Sequence, residues 1–399
     1  MTGSKTPPIP IQPTIQHYAW GGKSLIPSLA GIQNDQGEPF AEWWIGDHPK
    51  APSLAFWEDK WQPLDRLIRD EPGLWLGEPL QSRFGDHLPF LFKVLDVHDM
   101  LSIQIHPTKA NAEIGYAREE KLRRPLDAYD RVFKDSNHKP ELMVAISEFW
   151  LLHGFQNEKA LQQVLTRIPE WKEFPGILRK KQVKGLYAHI MQLSDAKLFD
   201  YLSPLRDRIL PAYQRGELTH YQPEYWAARA FLQYGLDRGI FSIFLLNLVC
   251  LLPGEGIFQD AGIPHAYLEG QNVEIMANSD NVFRGGLTPK YVDVDLLLQH
   301  VDSQSVEPEI LRAEVTPEGR IFPVPVPDFK LFEYRLEPGQ TSRIPTGAPG
   351  ELIIISGQGK IQHDSRSRAL RPGSVFYLFP DTQCQIQADE PLLAYLGTC

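Results

Sequence analysis

A short run of alternating side chains contains three residues that could take part in metal or substrate binding. Ser102, Gln104 and His106 alternate with aliphatic residues through positions 101–106, and Pro107 ends the run. Alternate residues of a β-strand share one face. We therefore expect these three side chains to lie together on a face turned inward, although a solvated polar face would give the same alternation.

Two further residues supply the kinds of ligand that would complete a metal site. Glu141 follows Pro140 and opens an apolar run, and His265 follows Pro264 at the end of a Gly-rich turn. Together with Gln104 and His106 they offer two imidazoles, a carboxylate and an amide oxygen. Such a mixed set suits zinc, and also iron, cobalt or manganese. Most other histidines, including His48, are interpreted as surface or core side chains.

A second run, 274–290, combines turn residues with cations. Positions 278–281 read Asn-Ser-Asp-Asn, which is typical of a turn. Gly285 and Gly286 allow close approach of the backbone to another group. Arg284 and Lys290 flank this glycine pair and could hold a phosphate. An ordinary hairpin with surface cations is the alternative.

The elements that must position these residues are mainly β. The chain has 30 Gly and 34 Pro and its strand-like runs are short, which favours a β architecture with many turns. Residues 155–238 differ, because apolar side chains such as Leu161, Leu165 and Ile168 recur at helical spacing. The β pattern is expected to resume near Ile240. A weak similarity between 252–265 and 370–380 suggests two related barrels, the second without the histidine, although chance would also explain it.

Composition excludes several classes of function. The formal net charge of the 399 residues is -10 without a Lys/Arg cluster, which argues against nucleic-acid binding. Three cysteines without CxxC spacing argue against a disulfide scaffold and fit a reducing cytoplasm. The longest apolar run, 240–252, is shorter than the roughly 20 residues of a membrane span. Residues 1–14 show no signal-peptide pattern, so we expect a cytoplasmic protein without membrane contact.

Seven motifs, in the same order along the chain, resemble those of the type I phosphomannose isomerases. They are Gln16-His-Tyr-Ala-Trp-Gly-Gly, Ala41-Glu-Trp-Trp-Ile-Gly-Asp-His-Pro, Pro89-Phe-Leu-Phe-Lys-Val-Leu, Leu101-Ser-Ile-Gln-Ile-His-Pro, Asn137-His-Lys-Pro-Glu-Leu, Gly262-Ile-Pro-His-Ala-Tyr-Leu, and the stretch from Glu274 to Asp293. They span most of the first 293 residues, whereas the last hundred carry no motif of comparable specificity.

The resemblance implies a fold and a metal. It implies a mainly β protein of two cupin-type jelly-roll barrels with an α-helical insertion domain. The first barrel would comprise 1–154 and 239–307, the insertion 155–238, and a metal-free second barrel 308–399. It also implies one Zn²⁺ per chain, held by Gln104, His106, Glu141 and His265, and a monomeric protein that binds a small sugar phosphate.

The resemblance further implies an activity and roles for individual residues. The family interconverts mannose 6-phosphate and fructose 6-phosphate, and Arg284 matches its catalytic arginine. Such an isomerisation moves a proton between C1 and C2 through a cis-enediol and needs a general base. Lys139, Asp280 and Glu274 remain alternative bases, while Ser102, Lys290 and Tyr267 are expected to contact substrate. Another sugar-phosphate isomerase of the cupin fold and a non-catalytic sugar-phosphate-binding cupin are the alternatives.

Overall fold

The protein is described by a computed structural model that covers residues 6–317, 319–345 and 347–399. These residues form mainly β-structure, as the sequence predicts. The strands up to residue 160 are β1 (Ile9–Gln12), β2 (Thr14–Gln16), β3 (Glu42–Ile45), β4 (Leu54–Trp57), β5 (Lys60–Pro63), β6 (Phe90–Val97), β7 (Gln104–Ile105), β8 (Glu141–Ala145) and β9 (Phe149–Phe155). Four strands follow the main helical segment, namely β10 (Leu246–Leu251), β11 (Glu255–Gln259), β12 (His265–Ala277) and β13 (Phe283–Arg284).

The strands after residue 310 are shorter on average and closely spaced. They are β14 (Leu311–Arg312), β15 (Glu314–Thr316), β16 (Gly319–Ile321), β17 (Lys330–Leu336), β18 (Thr341–Arg343), β19 (Gly350–Ser356), β20 (Gly359–His363), β21 (Arg366–Leu370), β22 (Val375–Leu378), β23 (Gln385–Ala388) and β24 (Leu392–Thr398).

Helices occur in three parts of the chain. Before residue 125 these are α1 (Leu25–Ala30), α2 (Leu64–Asp70), α3 (Pro72–Trp75), α4 (Glu78–Phe84) and α5 (Lys109–Lys121). The central group comprises α6 (Glu158–Arg167), a 3-10 helix (Pro169–Trp171), α7 (Phe174–Met191), α8 (Asp195–Gln214), α9 (Pro223–Tyr234) and α10 (Gly239–Leu245), and α11 (Val294–His300) comes later. Across the described ranges, no helix is both long and apolar enough to span a membrane.

The prediction that residues 155–238 are helical is confirmed, but the predicted end of the helical segment is wrong. We expected strand from Ile240, whereas Gly239–Leu245 forms α10 and the strand β10 begins at Leu246. All seven residues of α10 are buried. A continuous apolar run lacks the alternation that would separate a buried strand from a buried helix. The helices α2 to α5, in the part expected to be mainly β, were also not predicted.

The strands form three sheets. An eleven-stranded sheet has the central order β14-β11-β8-β12-β6-β3-β2; in addition β7 and β9 pair with β12, β13 pairs with β7, and β10 pairs with β9. A nine-stranded sheet has the order β15-β16-β17-β24-β19-β22-β1-β4-β5, and a four-stranded sheet has the order β18-β23-β20-β21. The first strand of the chain, β1, pairs with β22 near the end of the chain, with Ile9 opposite Tyr377. The N-terminal strands β1, β4 and β5 therefore belong to the sheet of the C-terminal strands.

Two large hydrophobic cores connect the helices and the sheets. One contains side chains of α6 to α10 together with Ile103, Ile105 and residues of β9, so the helices pack directly against the sheet that carries the candidate ligands. The other contains Ile9, Phe92, Ile353 and Tyr395 among others, and so unites strands of the eleven- and nine-stranded sheets. The helical segment and the C-terminal strands thus both contribute to the support of one central β region.

A buried acidic pair lies where the second core joins the two large sheets. Glu351 on β19 is fully buried, and neither carboxylate oxygen has a hydrogen-bond partner in the described chain. A Cβ atom placed on Gly46 would lie 3.4 Å from its Oε1, so Glu351 adjoins the end of β3 and the following Asp47. Burial raises the pKa of Glu351 well above its usual range, and Asp47 raises it further. Burial also raises the pKa of Asp47 to about 7.

We expect Glu351→Gln to stabilise the protein at pH 8. The pKa of Glu351 is higher in the folded than in the unfolded chain, so its contribution to stability is present below pH 4.5 and is lost as the pH rises. Removing the buried ionisable group should raise the free energy of unfolding at pH 8 by about 1–2 kcal/mol, and by less at pH 5. Urea unfolding at both pH values, with zinc present, measures this difference. The exposed Glu390→Gln is the control, and an unchanged or lower stability of Glu351→Gln at pH 8 would contradict the expectation.

Candidate metal centre and adjoining pocket

Three of the four predicted ligands meet in a buried cluster. Glu141 opens β8, His265 opens β12, and His106 directly follows β7. The Nε2 atom of His106 lies 3.7 Å from Oε1 of Glu141, and Nε2 of His265 lies 3.6 Å from Oε2. One potential ligand atom from each residue lies within 4.8 Å of the others. Within the described ranges, this is the group of three His, Cys, Asp or Glu side chains that could hold a metal ion.

The chemistry of the cluster fits a metal ion. Both ring nitrogens of His106 are buried and have no hydrogen-bond partner in the part of the chain that is described, an arrangement that is costly unless something binds them. Burial lowers the pKa of His106 well below its usual range, which keeps a lone pair free on the ring. Nδ1 of His265 is hydrogen-bonded to the Ile263 carbonyl at 2.9 Å, so its Nε2 faces Glu141. Such outer hydrogen bonds commonly orient metal-binding histidines.

Glu141 is ionised within this cluster. Burial alone would raise its pKa, but His106 and Lys139 outweigh that effect and hold the pKa well below its usual range. Nζ of Lys139 lies 3.1 Å from Oε1 of Glu141. Lys139, two residues before Glu141 in the chain, therefore lies beside the cluster.

Gln104, the fourth predicted ligand, is placed by the strand register. It lies opposite His265 on β12 and opposite Arg284 on β13, and directly opposed residues of antiparallel strands have side chains on one face. Ser102 and Gln104 line a cavity, whereas Ile103 and Ile105 are fully buried in the core shared with the helices. The predicted inward polar face is therefore present.

The predicted strand through 101–106 is wrong in its length. Only Gln104 and Ile105 form regular strand. The Leu101 and Ile103 backbones donate instead to separate partners, the carbonyls of Tyr267 and Gly286. The side chains of the segment alternate as in a strand. Its backbone, however, hydrogen-bonds to different neighbouring segments in turn, so no continuous ladder of strand hydrogen bonds forms.

The cavity next to the cluster is strongly cationic. It has a volume of about 710 Å³. The three cluster residues do not line it, but Lys139, which contacts Glu141, and Gln104, which lies opposite His265, do. Its lining includes three carboxylates, Glu42, Asp99 and Asp280, and six cationic side chains, Lys50, Lys93, Lys134, Lys139, Arg284 and Lys290. In a chain of net charge -10, such a local excess of positive charge favours an anionic ligand.

Arg284 and Lys290 face this cavity as the sequence analysis expected. Burial lowers the pKa of both side chains, and neither forms an ion pair with a carboxylate of the described residues. The neighbouring glycines serve packing. A Cβ atom on Gly286 would lie 2.4 Å from the backbone nitrogen of Gly239, so the close approach is to α10 and not to a ligand.

Asp280 lines the same cavity but is already paired. Its Oδ2 atom lies 2.7 Å from Nζ of Lys50 and 3.7 Å from Nε2 of His48. Burial would raise its pKa, but Lys50 outweighs burial and lowers it. His48 is buried, in agreement with its interpretation as a surface or core side chain, and it also lies in the cavity wall, where burial lowers its pKa to about 4.

A buried ion network, of which Lys93 and Glu42 line the cavity, was not predicted. Nζ of Lys93 lies 3.2 Å from Glu274 and 3.5 Å from Glu42, and the hydroxyl of Tyr267 donates to Glu274 at 2.7 Å. Burial disfavours the charged form of Lys93, but Glu42, Glu274 and Glu141 outweigh it and raise its pKa. Glu274 and Tyr267 do not line the cavity, unlike the other predicted contacts Ser102, Lys139, Asp280, Arg284 and Lys290. A lysine within the fully buried strand β6 was the signal that could have revealed the network.

Comparison with known proteins identifies the relatives of this chain. Residues 9–158 match the family model of the phosphomannose isomerase type I catalytic domain. The mannose-6-phosphate isomerase of Salmonella typhimurium is 36% identical over 377 residues, which cover 92% of this chain and 94% of that protein. The Escherichia coli mannose-6-phosphate isomerase is 36% identical over 378 residues, covering 92% and 93%. A crystal structure of the Salmonella enzyme bound to fructose 6-phosphate and zinc has a TM-score of 0.89 at 32% identity, covering 98% of this chain and 100% of that one.

The fold and the site together define the class of protein. It is a mainly β protein in which a buried His-Glu-His cluster that could hold a metal lies beside a cationic pocket suited to a small anion. The sequence and structural matches extend over nearly the whole chain. The chain belongs to the type I phosphomannose isomerase family, whose members are aldose–ketose isomerases.

Proposed function

We propose that this protein is a zinc-dependent isomerase that interconverts D-mannose 6-phosphate and D-fructose 6-phosphate. The observation that carries the proposal is the buried His106–Glu141–His265 cluster, whose neighbours Gln104 and Lys139 line the cationic pocket. A metal beside a pocket of this charge suits a phosphorylated sugar. The relatives named above bear the name of this activity, and one of them binds both zinc and fructose 6-phosphate.

Zinc would be held by Gln104, His106, Glu141 and His265, one ion per chain. When bound, it supplies a Lewis acid that polarises the sugar carbonyl. The protein's contribution is a buried set of donors whose orientation is fixed in advance, since the strand register places Gln104 opposite His265. The hydrogen bond from the His265 ring to the Ile263 carbonyl restrains that ring in addition.

The reaction would proceed through a cis-enediol, with the proton moved between C1 and C2 by a side chain of the pocket. Lys139 and Asp280 both line the pocket, and Lys139 lies next to the metal cluster, so we favour Lys139. The lowered pKa of Asp280 makes it a weak base. Glu274 would act through Lys93 and Tyr267, which it contacts, and not on the sugar.

The remaining predicted residues would bind the substrate. Arg284, cationic and without an ion-pair partner in the described chain, would stabilise negative charge on the sugar oxygens during proton transfer. Ser102 and Lys290 line the same pocket and would contact the phosphate. Arg284 ends strand β13, which fixes its backbone in the pocket wall.

We further propose an architecture of two cupin-type jelly-roll barrels. The first would comprise 1–154 and 239–307, the helical insertion 155–238, and the second, metal-free barrel 308–399. Support comes from the three antiparallel sheets and from the helical run between β9 and β10. We propose a monomer acting in carbohydrate metabolism in the cytoplasm, consistent with three free cysteines.

The experiment that tests the function compares two substrates and removes the metal. We expect the zinc-loaded protein to turn over mannose 6-phosphate much faster than glucose 6-phosphate, to lose activity with a chelator, and to regain it with zinc. In D₂O, deuterium should appear at C1 of the fructose 6-phosphate formed, as expected when the enediol intermediate takes up a proton that has exchanged with solvent. A preference for glucose 6-phosphate would favour another isomerase of the same fold, and binding without turnover would favour a non-catalytic protein.

A further inference from the structure

Two buried polar side chains next to the metal cluster have no role in the reaction described above. Gln259 on β11 lies directly opposite Glu141 on β8, and His153 on β9 lies directly opposite His265 on β12. Directly opposed residues of antiparallel strands have side chains on one face, with Cβ atoms about 5 Å apart. Each of these two side chains therefore neighbours one predicted metal ligand, although neither lines the cationic pocket.

Both side chains face the interior of the β region. Ile257 precedes Gln259 by two residues on β11, and Leu151 precedes His153 by two residues on β9. Both apolar residues belong to one buried hydrophobic cluster. Because alternate residues of a strand share one face, Gln259 and His153 point to the same side as that cluster. Both are buried, so their neighbours are other parts of the protein and not a molecule in the pocket.

Both side chains have polar atoms without a hydrogen-bond partner in the described chain. These atoms are the amide nitrogen and the amide oxygen of Gln259, and Nδ1 of His153. Unpaired buried polar atoms destabilise a fold, and an apolar residue would fill either position without that penalty. Packing alone therefore does not explain these two side chains, whereas a role toward the neighbouring ligands does.

Gln259 is suited to act on the residue opposite to it. Its amide has two N–H donors, and an ionised carboxylate such as that of Glu141 accepts at both oxygens. The two residues lie on paired strands, so a change of side-chain rotamer can bring the amide to the carboxylate. His153 restrains the same region, because its Nε2 donates to the Phe258 carbonyl at 3.3 Å. This contact links β9 to β11, which pair with different strands.

We propose that Gln259 is a positioning residue of the metal centre, whose amide donates a hydrogen bond to the Glu141 carboxylate and fixes its orientation toward zinc. This inference rests on the proposed zinc site. Groups that hydrogen-bond to metal-binding side chains orient them, and losing one such group typically costs about 10- to 100-fold in metal affinity. Gln259 therefore acts through Glu141 and has no contact with the sugar, since it does not line the pocket.

The test compares the zinc affinity of the full-length parent with that of Gln259→Leu, by titrating the zinc-loaded proteins with a chromogenic chelator. We expect Gln259→Leu to bind zinc about 10- to 100-fold more weakly. Cobalt in place of zinc supplies a second measurement, because the visible absorption of bound Co²⁺ depends on how its ligands are arranged. The absorption bands should shift in Gln259→Leu. Circular dichroism should show that the variant is folded as the parent is.

Asn272 on β12 provides the matched control. It is also fully buried, and both of its amide atoms are without a partner in the described chain. It lies opposite Ala145, however, which is four residues along β8 from Glu141. Asn272→Leu should therefore keep the zinc affinity and the cobalt spectrum of the parent.

A second replacement separates loss of the amide from a change of shape. Gln259→Met keeps the length of the side chain and should weaken zinc binding as Gln259→Leu does, since both lack the amide. Parent-like zinc affinity in either folded Gln259 variant, or an equal loss in Asn272→Leu, would overturn the proposal. A parent protein that binds no zinc would instead refute the proposed metal centre, so the two failures are distinguishable.

Discussion

His265→Ala is expected to remove zinc and nearly all turnover together. His265 faces the Glu141 carboxylate from the start of β12, and its loss leaves His106 and Glu141 as the two strong donors of the cluster. A Lewis acid contributes several kcal/mol to stabilisation of the transition state, and about 1.4 kcal/mol corresponds to a tenfold rate, so kcat/KM should fall by about 10³-fold or more. Metal analysis of the purified variant should show far less than one zinc per chain.

A matched histidine separates loss of metal from loss of structure. His363 on β20 is buried to a similar degree but lies in the four-stranded sheet, so His363→Ala should keep both zinc and activity. Circular dichroism should show that His265→Ala remains folded. Full zinc occupancy in His265→Ala, or normal activity without zinc, would contradict the proposed metal centre.

The metal centre could be predicted from sequence because its residues lie in compact motifs with strong local constraints. Gln104 and His106 alternate with aliphatic residues, and prolines precede both Glu141 and His265. Alternation alone left a solvated face equally possible. The motif series selected among these alternatives, and the register of β7 against β12 and β13 then explains how Gln104, His265 and Arg284 share a face.

The buried ion network shows what local patterns cannot supply. Glu42, Lys93 and Glu274 come from β3, β6 and β12, and they meet because these strands are neighbours in the sheet. Lys93 and Glu274 are 181 positions apart, and no periodicity within one segment encodes such pairing. The same reason explains why pairing of β1 with β22 was not foreseen. Whether a segment forms a strand depends largely on its local sequence, whereas the strand with which it pairs depends on the whole fold.

Arg284→Ala is expected to keep zinc and lower kcat by about 10²–10³-fold, the usual cost of losing one electrostatic group aimed at developing charge. Arg284 lies across the ladder from Gln104 but is not a metal ligand, so zinc content should equal that of the parent. Arg343→Ala, an arginine on β18 of the four-stranded sheet, is the control and should change neither value.

The division of the effect between kcat and KM decides what Arg284 does. An interaction made only in the transition state lowers kcat and leaves KM nearly unchanged, whereas one made equally with the bound sugar raises KM alone. Lys290 lines the same pocket and provides the comparison, because a phosphate contact should mainly raise KM when Lys290 becomes Met. If Arg284→Ala instead behaved as Lys290→Met does, Arg284 would be a binding residue. Charge stabilisation in the reaction would then have to come from the metal.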